Sequence, residues 1–172
     1  IDWNEVCPND GGEIYLISNP PYVGSSMQTK EQKSEFKHVF GARPFSANLD
    51  YISLWFVKGA DYILGTRAQL AFVTTNSVAQ GEHVSLMFPT IFSMGIEIGF
   101  AYTSFKWENN AKRNAGVTVA VISLRNDSNA QKYIFTGGLQ ITANNINGYL
   151  ADAPSVIAGR QMKPISLGLP PM

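Results

Sequence analysis

The chain has 172 residues, 45% of them hydrophobic and 12% aromatic, which is enough apolar surface to bury a domain core and too much for a disordered chain. Thirteen basic and thirteen acidic residues cancel, so the protein lacks the electrostatic footprint of one that grips nucleic acid by phosphate contacts alone. The single Cys7 excludes an intrachain disulfide and fits a reducing compartment; with no membrane-length apolar run and no signal-peptide pattern in "IDWNEVCPNDGG", a cytoplasmic location is expected.

In chain order, "EIYLIS" is a short apolar run between "NDGG" and two prolines, which predicts a buried strand ending near Ser18. "QTKEQKSEFKHVF" reads as a polar, exposed helix. "NLDYISLWFVKGADYILG" places Ile52, Trp55, Phe56, Ala60 and Ile63 on one helical face, with Gly65 as the stop. "AQLAFVTTNS" returns to a buried strand pattern and breaks at "NSVAQGE". "EHVSLMFPTIFSMG" carries a stripe of Val84, Met87, Phe88, Ile91 and Phe92, with Pro89 expected to kink or restart the helix. "IEIGFAYTSFKW" and "GVTVAVISLR" follow as two strands around a polar loop.

That order predicts an α/β fold with a mostly parallel sheet finished by an antiparallel hairpin, and ligands beyond the carboxyl ends of the strands. "NPPY", Asn19 to Tyr22, and "TTNS" both fall at such ends. Proline donates no backbone hydrogen bond and holds its predecessor out of the helical region, so "NPPY" is a rigid extended turn. The Asn19 side-chain oxygen and the Pro20 carbonyl can then converge as acceptors on a planar amino group, while Tyr22 offers a face for the ring that bears it. Accepting both N–H bonds favours a tetrahedral nitrogen and stabilises the charge that develops as it attacks an electrophile, for which a methyl sulfonium is the natural choice. No metal-ligand cluster and no nucleophile with its base is apparent. Asn76 and Ser77 read either as a helix cap or as site residues, and Phe105 and Trp107 either as core or as ligand-facing rings. Lys106, Lys112 and Arg113 are candidate phosphate contacts or a solvated loop.

The "NPPY" after a strand resembles the S-adenosylmethionine-dependent amino-methyltransferases that form N6-methyladenine in DNA. The wider wording, "IDWNEVCP", "NPPYVGSSMQTKEQK", "FVTTNSVAQGE", "FKWENNAKRNAGVTV" and "KPISLGLPPM", is similar to the methyltransferase part of large single-chain restriction-modification enzymes. The resemblance implies the carboxyl-terminal half of a Rossmann-like methyltransferase sheet over residues 1–160, with 161–172 as a linker to a target-recognition region. It also implies a glycine-rich cofactor loop and a nuclease upstream. Asn19, Pro20, Pro21 and Tyr22 carry over as the target-adenine site, Asp2 as the residue that contacts the cofactor's adenine amine, and Phe105 or Trp107 as the ring that closes the other face of a flipped base in double-stranded DNA. The same tetrad also serves RNA bases and protein glutamine, and the chain by itself could be a non-catalytic fragment whose exposed sheet edge favours self-association.

Overall fold

The computed structural model describes residues 1–107 and 117–156. A helical turn, α1 (Trp3–Val6), precedes strand β1 (Tyr15–Ser18), helices α2 (Lys30–Phe40) and α3 (Ile52–Ile63), and strand β2 (Gln69–Thr75). After a 3-10 turn over Asn76–Ala79 come helix α4 (Gly81–Ser93) and strands β3 (Ile96–Lys106), β4 (Thr118–Asn126), β5 (Lys132–Thr136) and β6 (Leu139–Ala143). They form one six-stranded sheet in the order β1-β2-β4-β3-β5-β6. No described helix is long and apolar enough to cross a membrane.

The expected mostly parallel sheet is corrected to a mixed one. β1 pairs with β2 and β3 with β5 in parallel, but β4 lies antiparallel between β2 and β3, and β5 and β6 are antiparallel. The two strands read as a closing hairpin thus do not close the sheet, because β4 inserts against β2 and leaves β3 free to accept β5. The direction that matters for a site survives: β1, β2, β3 and β5 all run the same way, so their carboxyl ends share one edge. β1 is marginal, and Ile17 on it is 78% exposed.

The β5–β6 hairpin adds two strands to those the sequence reading predicts. Its signal was present, since two β-rich runs separated by Gly137-Gly138 with φ of 55° and 80° make the tight turn that matches strand twist. Beyond it, the chain folds back on α4, where a Cβ at Gly148 would stand 2.7 Å from Val84 and Phe88. The linker expected at 161–172 lies outside the described residues.

α3 follows its periodicity: Ile52, Phe56, Ala60 and Ile63 are fully buried, and Trp55 is half-buried at the edge of the core. Phe56 meets Phe72 of β2 edge-on at 5.3 Å, and burial of each ring contributes about 2–3 kcal/mol. Gly59 permits this approach, because a Cβ there would lie 2.4 Å from Leu70 Cδ2. α2 corrects its reading as a polar exposed helix. Phe36 and Phe40, four residues apart, are buried and form a three-ring cluster with Phe45. α4 runs through Pro89 as one element, with no restart; the ring is on the exposed side, where the carbonyl deprived of its N–H can meet water.

Candidate functional site

Asn19 follows β1 directly. Asn19, Pro21 and Tyr22 are exposed, Tyr22 by 42%, while Pro20 is buried and anchors the turn. Among the described residues, no hydrogen bond engages the Asn19 side chain or the Pro20 carbonyl. Two acceptors at the carboxyl edge of a sheet are thus left unused by the described residues.

The next residue is held from a distance. The Val23 amide donates to Asp50 Oδ1 at 3.0 Å, and the Val23 carbonyl accepts from the Tyr51 amide at 3.0 Å and from Gln28 Nε2 at 2.9 Å. Gln28 Nε2 also donates to the Leu49 carbonyl at 2.9 Å, and Asp50 Oδ1 accepts from the Ile52 amide at 3.0 Å, where α3 begins. Asp50 and Gln28 are both only 8% exposed. Sequence reasoning passed over both. Asp50 ahead of the apolar run "YISLWF" is a readable cap signal, but its bond to a residue 27 positions upstream leaves no pattern.

Asp2 caps α1, its Oδ1 accepting from the Asn4 amide at 2.9 Å. It lies on a cleft of about 460 Å3 lined also by Trp3, His38, Tyr51, Trp55 and Lys58. Trp3 and Trp55 are 6.0 Å apart, and Lys58 Nζ stands 5.1 Å over the Trp3 ring. A hydrogen bond to Glu35, with burial and the Glu35 charge adding to it, pushes the Tyr51 phenol up to about 12, so Tyr51 is a neutral donor across the working range. Aromatic faces beside an acceptor carboxylate suit a flat heteroaromatic ring that carries an amine.

Asn76 and the end of β3 meet across the start of β4. The Ser104 hydroxyl donates to Asn76 Oδ1, and Ser77 bonds Thr75 at 2.8 Å. The helix-cap alternative for Asn76 and Ser77 therefore falls: the residue before α4 is Gln80. Phe105 and Trp107 are 38% and 42% exposed, so the core alternative falls for them too. They share the carboxyl edge with Asn19 but sit three strands away, about 14 Å at the usual spacing. Lys106 is exposed there, and Lys112 and Arg113 lie outside the described residues.

Residues 1–136 match the family described as MmeI, DNA-methyltransferase domain. The chain belongs to the MmeI DNA-methyltransferase family. DNA methyltransferase A of Bacillus subtilis (strain 168) is 46% identical over 168 residues, which is 96% of this chain and 19% of that protein. The Type IIL restriction-modification enzyme MmeI, solved in complex with DNA, superposes with a TM-score of 0.88 at 39% identity over 96% of this chain and 23% of its own. The MmeI-like chain thus spans about a fifth of the length of these relatives, and its mixed sheet is the MmeI fold.

Proposed function

We propose that this MmeI-type domain transfers a methyl group from S-adenosylmethionine to N6 of an adenine flipped out of double-stranded DNA. It does so as the methyltransferase segment of a longer cytoplasmic restriction-modification chain that also holds nuclease and target-recognition regions. The observation that carries this reading is the pair of acceptors, Asn19 Oδ1 and the Pro20 carbonyl, that no described residue engages, beside the exposed Tyr22 ring.

S-adenosylmethionine supplies an electrophilic methyl group. Asn19 and Pro20 accept hydrogen bonds from the two N–H groups of the amine and stabilise the positive charge that grows on its nitrogen as the nitrogen–carbon bond forms and the methyl–sulfur bond breaks; the thioether leaves and one amine proton passes to solvent. Tyr22 stacks on the base; about 1–3 kcal/mol from such stacking offsets part of the few kcal/mol spent on unpairing it. Phe105 or Trp107 closes the base site from the β3 side, and Asn76, fixed by Ser104, lines it. Asp2, Trp3 and Trp55, which line one cleft, are the residues that would hold the cofactor's adenine, Asp2 as an acceptor for its amine. Because the chain has no net charge, most phosphate contacts fall to the other regions.

The test is incubation of the full-length protein, beside Asn19→Ala, with unmethylated DNA and labelled S-adenosylmethionine, followed by digestion to nucleosides. Label in N6-methyladenine with the unaltered protein alone supports reaction and residue together. Label absent from adenine with both, in the presence of an active control, would overturn the substrate. The isolated chain is expected to self-associate through the exposed β1 edge, which a monomeric mass in light scattering would refute.

A further inference from the structure

We propose that Asp50 and Gln28 are positioning residues for methyl transfer, acting through Val23 to fix the turn that presents Asn19 and Tyr22; this rests on the reaction proposed above. The Asn19–Tyr22 turn cannot fix itself. Its prolines restrict φ but contribute no N–H, so the first backbone donor after Pro20 and Pro21 belongs to Tyr22 and the next to Val23. The structure spends that Val23 amide on Asp50 and the Val23 carbonyl on Gln28 and the Tyr51 amide. Both polar groups of one residue, next in sequence to the stacking ring, are tied to the same place.

That place is the start of α3, the most deeply buried helix of the described fold. Asp50 Oδ1 bridges the Val23 and Ile52 amides, so the carboxylate cannot turn away without releasing the first amide of α3, and the Asp50 backbone is itself held where its carbonyl accepts from Ser53 Oγ at 2.6 Å. Gln28 bridges Val23 to Leu49 in the same way. The amide-and-carboxylate pair thereby transfers the rigidity of a packed helix to an exposed turn. Both side chains are almost inaccessible, so neither can touch a base or a cofactor; their effect passes through the backbone.

The chemistry separates a specific acceptor from mere bulk. Asp50→Asn keeps an oxygen at Oδ1 and can hold both amides, whereas Asp50→Ala cannot. Gln28→Glu keeps the shape but turns a donor into an acceptor facing two carbonyls. In the full-length protein these variants are compared by single-turnover methylation of adenine in duplex DNA, calorimetric affinity for S-adenosylmethionine, and amide hydrogen exchange of the segment 19–26. Asp50→Ala and Gln28→Glu are expected to slow transfer by about 100-fold, the cost of a roughly 1 Å misplacement of reacting groups, and to speed exchange at Val23. Cofactor affinity should stay within about threefold, and Asp50→Asn should recover the rate to within about threefold of the unaltered protein, since a neutral acceptor forms roughly half as strong a bond. An unchanged rate in Asp50→Ala, no recovery in Asp50→Asn, or cofactor affinity falling as far as the rate would each overturn the assignment. Should the unaltered protein place no methyl on adenine, the proposed reaction fails by itself, and the exchange data decide the clamp alone. Faster exchange at Val23 in Asp50→Ala but not Asp50→Asn then supports it, and equal exchange in all three overturns it.

Discussion

The two ends of the sheet use polar side chains in opposite ways. At the end where the parallel strands begin, Glu97 accepts from Arg125 at 2.8 Å and from Lys132 at 2.7 Å, with Ser128 behind them. Nearby, Asn126 donates to the carbonyls of Ile63 and Thr66 and accepts from the Gly65 amide. Each of these groups is spent on another part of the same chain. At the opposite end, Asn19 and the Pro20 carbonyl have no partner among the described residues, although the backbone next to them is held by Asp50 and Gln28. Saturated polar groups mark the end that maintains the fold. Rigid but unsaturated ones mark the end with capacity left for a ligand.

Substitutions at each end should break different properties. Asn19→Ala is expected to lower kcat by about 10²–10³-fold, about 3–4 kcal/mol of transition-state stabilisation, with Tm unchanged, because it removes an acceptor that no described residue uses. Steady-state kinetics beside a thermal melt checks this. Glu97→Gln should do the reverse, costing about 2 kcal/mol in urea unfolding by leaving two cations without their carboxylate, with little change in kcat. Burial alone would push the Glu97 carboxyl up, but the Lys132 and Arg125 bonds outweigh it and hold it below its usual value of 4.5. A depressed carboxylate stabilises above its unfolded value, so this contribution should fade as pH falls below about 4.5 and be missing from Glu97→Gln throughout. Trp107→Ala should weaken DNA retention by about 1 kcal/mol in a gel-shift titration, at the low end for base stacking, and leave Tm within error. The smallest effect is Tyr51→Phe. The phenol is raised to about 12 from 10, so its contribution is complete below pH 10 and lost between about 10 and 12. The variant should show its full, modest loss of stability already at pH 7 and a flatter profile across that window, the difference from the unaltered protein closing as pH rises to about 12 in urea unfolding.

The parts legible from sequence were those governed by local chemistry. Two adjacent prolines specify an extended turn wherever they occur, and the stripe from Ile52 to Ile63 fixes a buried helix whatever it meets. The Gly137-Gly138 turn is equally local: two glycines at positive φ between two β-rich runs specify a hairpin wherever they occur. Other features depend on tertiary choice. Nothing in "GVTVAVISLR" says that it will lie between β2 and β3, because an apolar run buried on both faces fits any interior position. The bond from Asp50 to Val23 and that from Ser104 to Asn76 join residues 27 and 28 positions apart, distances at which no spacing rule operates. Phe36 and Phe40 were masked by the charges around them, although their four-residue interval was there to see.

The position of β4 also has a consequence in time. β2 is complete at Thr75, and its antiparallel neighbour is complete only at Asn126, 51 residues later (126 − 75). At the roughly 5–20 residues per second of bacterial and eukaryotic synthesis, β2 waits roughly 3–10 s for β4 and β3, complete at Lys106, roughly 1–4 s, each with an apolar face and an open edge towards it. The strand that joins them arrives last of the three. During synthesis the sheet is therefore not grown outward from β1 but locked from the middle, and a nascent chain halted before residue 118 has the turn for its ligand without the strand that holds the edge together.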